Sequence, residues 1–540
     1  MKRRKFIFNS SISIAGFQLL PSANDFPFFD LTKQKNTDNS FLDPLDFKEI
    51  TISELQNLMA AGKLSSEQLI TWYLKRITEI DKNGPTINAI IELNPDAISI
   101  AKQMDEERKA GKLRSMLHGI PVLVKDNIDT ADQMMTTAGS LALLNHKATK
   151  DAFIIKQLRE AGAVILGKTN LSEWANFRST RSASGWSSRG GQTKNPYVLD
   201  RSPCGSSSGS AAAIAANLCV VAVGTETDGS IACPASMNSL VGIKPTVGLV
   251  SRSGIIPISK TQDTAGPMAR TVQDAAILLG VLACFDQSDN ATHENRSRIK
   301  QDYSQFLNSN GLMGKLIGVE KTFLQKHEAI DGLFKKAIEQ MKSKGATIVE
   351  LEFIEPFNKI VKDEFLLMQY EFKDGLNKYL ASTNAAVKSL EDVIKFNKQN
   401  ELIVMPHFKQ EILDLSQIKD NLESKEYIDI TIKYAEARAF YNKFFDDNQL
   451  DAFCGPANGF PWCIDFMNGD FFTGYGVYSP AAVCGYPSIT IPMGNVNELP
   501  VGISFLGKAY SEAALIEIGY AFEQSSNNRI QPSFKQSFNH

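Results

Sequence analysis

From Gly205 to Ser230 the chain reads GSSSGSAAAIAANLCVVAVGTETDGS, with no charged residue before Glu226. Its apolar part, Ala211 to Val223, is interrupted by Asn217 and falls short of the ~20 residues that a membrane-spanning helix needs. Such a stretch has to be buried within protein. The alanines predict a helix that packs closely on its neighbours, and the run Leu218 to Val223 that follows directly predicts a strand buried on both faces. A buried helix joined to a buried strand points to an α/β layer.

The flanking sequence extends this pattern. Leu55, Leu58 and Met59 have helical spacing; Ser65 and Gln68 form a capping box that opens a second helix through Leu69, Tyr73, Leu74, Ile77 and Ile80, ended by Gly84-Pro85. A helix around Ile98 to Ala110, a strand Ile120 to Val124, a helix from Asp151 to Gly162 and a strand Ala163 to Leu166 closed by Gly167 follow in turn. This alternation predicts one sheet with helices packed on it. Residues 325–450 change to long Lys- and Glu-rich amphipathic patterns, such as Ile330 to Lys344 and Phe357 to Leu380, and read as an inserted helical region. Glycine, proline and strand signals return after Asp451, so the C-terminal part is expected to rejoin the same sheet.

The N-terminus is of another kind. Lys2-Arg3-Arg4-Lys5 precedes a moderately apolar run from Phe6 to Leu20 and then Pro21-Ser22-Ala23, the shape of an export signal, and Arg3-Arg4 resembles the twin-arginine type. Residues 1–23 are therefore expected to direct the protein out of the cytoplasm, to the periplasm, and to leave no stable membrane span after removal. Residues 24–48 read as a flexible polar linker and 49–530 as the functional domain. With a net charge of -3 and no concentrated basic patch, nucleic-acid binding is not expected.

Seven cysteines with no C-x-x-C do not imply a disulfide framework, and Cys219 and Cys233 read as buried packing thiols. Six histidines show no H-E-x-x-H and no pair at helical spacing, so neither a metal nor another cofactor is predicted.

The consecutive serines raise the question of a nucleophile. Gly205-Ser206-Ser207-Ser208-Gly209 satisfies G-x-S-x-G, but a nucleophile elbow needs an apolar strand just before it and a histidine base later. Asn195 to Pro203 holds two prolines and two charges, and no later histidine sits in a catalytic context. The S-x-x-K pairs Ser297/Lys300 and Ser416/Lys419 lie in charged helical surroundings without a K-T-G. A third possibility is Lys125, at the end of the apolar strand in Leu117-His118-Gly119-Ile120-Pro121-Val122-Leu123-Val124-Lys125-Asp126-Asn127, where open α/β sheets gather their sites.

That segment, together with Gly191-Gln192-Thr193-Lys194-Asn195-Pro196, Gly205 to Ala213, Gly224-Thr225-Glu226-Thr227-Asp228-Gly229-Ser230-Ile231, Gly242-Ile243-Lys244-Pro245-Thr246, Asp263-Thr264-Ala265-Gly266-Pro267, Gly485-Tyr486-Pro487 and Leu499-Pro500-Val501-Gly502, resembles the amidase signature family of Ser-Ser-Lys hydrolases over roughly residues 50–525. The resemblance implies a single large α/β domain with a central mixed sheet covered by helices on both faces. It also implies Lys125 as the base, Ser206 as a bridging serine after a cis peptide bond, Ser230 as the nucleophile, and backbone N–H groups of Thr227, Asp228 and Gly229 as the oxyanion site. Ser208 and Asp228 stand where glycine is usual in the family. Ala232 stands where many relatives have arginine, among them the glutamine-hydrolysing component of tRNA amidotransferases. The Thr-Glu-Thr-Asp-Gly-Ser form resembles the peptide amidase subgroup.

The expected function is hydrolysis of a carboxylic or peptide C-terminal amide to acid and ammonia through an acyl-enzyme, with a small-molecule or peptide amide as substrate. The alternatives are the glutamine-hydrolysing component of a tRNA amidotransferase and a catalytically silent binding protein on the same scaffold. The loop Trp174 to Trp186 and the helical region are expected to shape the pocket.

Overall fold

The computed structural model describes residues 46–300 and 302–538. The expected export signal, and the linker as far as residue 45, lie outside the described residues. Among them, eleven strands form one sheet: β1 (Ile90–Leu93), β2 (Pro121–Lys125), β3 (Val164–Thr169), β4 (Val221–Glu226), β5 (Val241–Lys244), β6 (Thr264–Ala269), β7 (Leu316–Glu320), β8 (Thr347–Leu351), β9 (Ala452–Pro456), β10 (Ser488–Val496) and β11 (Leu499–Leu506). Their order is β1-β3-β2-β4-β6-β5-β10-β11-β9-β7-β8.

The sheet is mixed. β2 runs parallel to both β3 and β4, and β9, β7 and β8 are parallel at the far side, while the strands between pair antiparallel. Every residue of β2 through β6 is buried, inward and outward alike, so helices cover both faces of this part. The alanine-rich helix Ser208–Ala215 lies against β2, β3 and β4, and all of its residues are buried. Gly209 makes that approach possible: a Cβ there would meet the Asn170 and Ala89 carbonyl oxygens at 2.4 and 2.3 Å. The described residues from Lys48 onward pack as one unit.

The capping boxes at Thr51 and Ser65 open helices Ile52–Ala60 and Ser66–Arg76, and the second continues as a π-helical turn over Ile77–Asn83 to Gly84. Three expectations are corrected. Gly167 does not close its strand; β3 runs on to Thr169, and the missing side chain lets β1 approach, since a Cβ at Gly167 would lie 2.5 Å from the Glu92 carbonyl oxygen. The region 325–450 is not helical throughout: helix Glu328–Ser343 links β7 to β8 in a parallel strand-helix-strand unit at the sheet edge, and the helical insertion proper runs from Ile354 to Asp447. The amphipathic pattern Phe357 to Leu380 is broken into Ile354–Ile360 and Glu364–Ser382. The C-terminal part does rejoin the sheet, as β10 pairs with β5 through Ser488 and Lys244.

Candidate active site

Parallel pairing of β2 and β4 puts their carboxyl ends side by side, with Val124 opposite Val223. Lys125 ends one strand; Thr225 and Glu226 end the other and lead into the turn Thr227 to Ser230. The lysine is fully buried. Its Nζ donates to Ser206 Oγ at 2.7 Å, Thr225 Oγ1 at 2.8 Å, Ser207 Oγ at 3.1 Å and the Thr225 carbonyl at 3.3 Å. Burial pulls its pKa down to about 7, against the opposing influence of the Asp263 and Glu226 carboxylates. Lys168 and Lys244 are also fully buried and have lowered pKa values, but they bond to the Ile128 carbonyl and Thr136 hydroxyl, and to the Pro245 and Tyr486 carbonyls. Of these three lysines, Lys125 is the one that touches a serine.

The three consecutive serines divide their work. Ser206 follows a cis peptide bond from Gly205, its hydroxyl faces Lys125, and its carbonyl accepts from the Ser172 N–H. Ser207, the centre of the elbow-like motif, is tied to β4: its hydroxyl donates to the Thr225 carbonyl and accepts from the Thr225 N–H. Ser208 donates to the Cys204 carbonyl at 2.5 Å.

Ser230 sits on the adjacent turn, where its carbonyl accepts from the Ser207 N–H at 3.2 Å, and is 9% exposed to a cavity of about 220 Å³. Glu226 shapes this turn. Its carboxylate accepts from the Ile231 and Ala232 N–H groups at 2.7 and 2.9 Å, folding the chain back after Ser230. The N–H groups of Thr227, Asp228, Gly229 and Ser230 find no acceptor among the described residues. Gly229 has φ +79°, and a Cβ on it would meet the Tyr478 ring at 2.5 Å, so both conformation and space demand glycine.

The Asp228 carboxyl is turned to Ser479, whose hydroxyl donates to it at 2.7 Å, and to Glu364. Burial, and after it the charge of Glu364, raises the Asp228 pKa well above the carboxylate range, while burial also raises Glu364. Burial and the neighbouring Glu364 thus both favour the neutral acid at Asp228.

Apolar side chains complete the cavity: Phe177 from the loop after Trp174, Phe365, Met368 and Ile412 from the helical insertion, and Ile258 and Phe472 from elsewhere in the chain. Both segments expected to shape the pocket do so. No Lys, Arg or His lines it among the described residues. A second cavity of about 250 Å³ shares Ala175, Thr227 and Ile258 with it, reaches Asn127 and Thr225, and is also lined by Arg252 and Lys260. Among the described residues no cluster of His, Cys, Asp or Glu is arranged to hold a metal ion.

Lys125 and Ser206 are in contact, and Ser230, Thr227, Asp228 and Gly229 lie on the neighbouring turn. Sequence reasoning missed the roles of Thr225 and Glu226, although both stand inside a motif it singled out. It also missed Tyr478 and Glu364, which arrive from distant segments. One reading is corrected: Cys233 is not a free packing thiol but is disulfide-bonded to Cys204, with Cα atoms 6.0 Å apart, because the turns bearing the two serines bring residues 29 apart in sequence together. Cys219 is a buried free thiol.

The chain matches the family model described as Amidase over residues 68–516. It is 41% identical to a probable amidase of Arabidopsis thaliana over 90% of this chain and 92% of that protein. The solved structure of native peptide amidase from Stenotrophomonas maltophilia superposes with a TM-score of 0.85 at 47% identity, covering 91% of this chain and all of that one. A glutamyl-tRNA(Gln) amidotransferase component of Lawsonia intracellularis is 33% identical over 90% of this chain and 99% of its own length.

Proposed function

The chain belongs to the amidase family, hydrolases of amide bonds, and from that premise we propose that it removes the terminal amide from apolar peptide amides through Ser230, Ser206 and Lys125. The observation that carries this reading is the buried Lys125 amine 2.7 Å from Ser206 Oγ, beside the turn on which Ser230 opens to the cavity. A lysine can act as base only when neutral, and a pKa near 7 makes the amine available at physiological pH.

In the proposed reaction Lys125 takes the Ser206 proton while Ser206 takes that of Ser230. The Ser230 oxygen then attacks the amide carbon. The oxygen that becomes negative is received by the unpaired N–H groups of the turn Thr227 to Ser230. The relay returns a proton to the departing nitrogen, ammonia leaves, and water, activated by the same relay, releases the acid from Ser230.

The cavity supports the substrate class. Its apolar walls suit an uncharged side chain, and no cation lines this cavity among the described residues, Arg252 and Lys260 standing in the adjoining one, which favours an apolar peptide amide over free glutamine. An ammonia-release screen tests this: peptide amides with an apolar C-terminal residue should be the best substrates and free glutamine the poorest. Faster release from glutamine would overturn the assignment.

The oxyanion site has its own test. In Gly229→Ala the new methyl group strikes the Tyr478 ring and the backbone loses its φ of +79°, so the turn must shift. A loss on the order of 100-fold in kcat is expected, with a smaller change in KM. Unchanged kcat would remove the turn from the mechanism.

Export is part of the proposal. The arginine pair near the N-terminus and a disulfide, a bond that persists in oxidising compartments, both support it. Cell fractionation of the chain with Arg3 and Arg4 replaced by lysine should find it retained in the cytoplasm.

A further inference from the structure

The disulfide stands at a particular place in the chain. Cys204 lies just before the cis Gly205-Ser206 bond, and Cys233 lies in the first turn of the helix Ala232–Met237 that follows Ser230. The bond therefore stitches the turn bearing one serine to the turn bearing the other. Both cysteines line the same cavity as Ser230.

Each turn is also held internally. The Cys204 N–H donates to Ser202 Oγ at 3.1 Å, and its carbonyl accepts from Ser208 Oγ. The Cys233 N–H donates to the Gly229 carbonyl at 2.8 Å, and its sulfur accepts from Asn458 Nδ2 at 2.7 Å. Between the turns themselves, the hydrogen bond from Ser207 N–H to the Ser230 carbonyl runs beside the disulfide. A hydrogen bond can lengthen or break without chemistry; a disulfide fixes its Cβ atoms at about 3.8 Å.

We propose that the Cys204–Cys233 disulfide is a positioning element of catalysis: it fixes the turn bearing Ser206 against the turn bearing Ser230, and its reduction lets the two turns drift apart, uncouples the two hydroxyls and lowers turnover. The proposal rests on the roles assigned above to these serines. Proton transfer between hydroxyls needs a hydrogen bond of ordinary length, and misplacement of reacting groups by about 1 Å can cost on the order of 100-fold in rate. Reduction requires a thiol reductant. Its thiolate attacks one sulfur and a second thiol displaces the mixed disulfide, so the reductant is oxidised by two electrons to its own disulfide while Cys204 and Cys233 each gain a proton.

The test compares the oxidised protein, the same protein reduced in its folded state by a dithiol, and Cys204→Ala/Cys233→Ala. A peptide amide serves as substrate, at a temperature where circular dichroism shows all three folded. Mass spectrometry after alkylation reports how many thiols each form carries. The expected result is a fall in kcat of roughly 10- to 100-fold with little change in KM, a matching fall in the rate at which a fluorophosphonate labels Ser230, and recovery of both on reoxidation of the reduced protein. A bond that only stabilised the fold would lower the melting temperature and leave kcat of the folded protein alone.

Full kcat in folded protein shown to carry both thiols reduced overturns the proposal. If the double alanine variant does not fold, reduction in place still decides. The underlying mechanism fails separately, through an active Ser230→Ala in the oxidised protein.

Discussion

Ser230→Ala is expected to lower turnover of a peptide amide by roughly ten-thousandfold while binding and fold survive. The substitution removes one oxygen from a side chain at the cavity surface, and the neighbouring contacts of the turn run through the backbone and through Glu226, which the change does not touch. The melting temperature should therefore stay close to that of the parent chain. Substrate binding, read by calorimetry on the inactive variant, should persist, because the apolar walls and the N–H groups of the turn remain in place. The loss falls on kcat because the alternative nucleophiles are unavailable. Ser206, Ser207 and Ser208 are fully buried and none of them lines the cavity; Ser207 is tied to the Thr225 backbone and Ser208 to the Cys204 carbonyl. Residual activity within tenfold of the parent in folded, pure protein would assign the acyl bond to another oxygen.

Much of this arrangement is legible in the sequence. The uncharged run from Ala211 to Val223 could only be a buried helix and a buried strand. The position of Lys125 at the end of a short apolar strand already marks the edge of the sheet where ligands bind. The turn Thr227 to Ser230 is legible only through the resemblance of Gly224 to Ile231 to the family pattern. What escapes such reading depends on pairing between distant segments. Gly167 reads as a strand terminator until β1 is known to press against it. Glu364 is one of many acidic residues in an amphipathic pattern, and nothing local says that it meets Asp228. The disulfide is invisible for the same reason: cysteines 29 residues apart pair only because two turns meet at the carboxyl ends of parallel strands, and spacing does not encode that meeting. The start of the helical insertion is hidden because helix Glu328–Ser343 has the amphipathic pattern of a surface helix whether it belongs to an insertion or crosses between two edge strands.

Lys125 gives the sharpest separation between chemistry and scaffolding. If its neutral amine is the base, kcat/KM falls about tenfold for each unit that pH drops below about 7 and levels off above it. Lys125→Arg should lose roughly a thousandfold or more, because a guanidinium stays protonated and cannot take a proton, although it keeps the positive charge. An arginine variant with near-parental activity would show that position 125 supplies charge, not a base. Lys125→Met should be equally inactive, and its stability carries independent information. The folded protein lowers this amine from 10.5 to about 7, so between those values the unfolded chain binds the extra proton and stability rises with pH. The burial penalty is complete below about 7 and vanishes above 10.5. Methionine has no such penalty, so its stability relative to the parent should be most favourable at pH below about 7 and decline as pH rises through this window. Chemical denaturation of both proteins on either side of neutrality reads that trend directly. A stability difference independent of pH would mean that the Lys125 amine is not held neutral by burial, and the proton relay would lose its base.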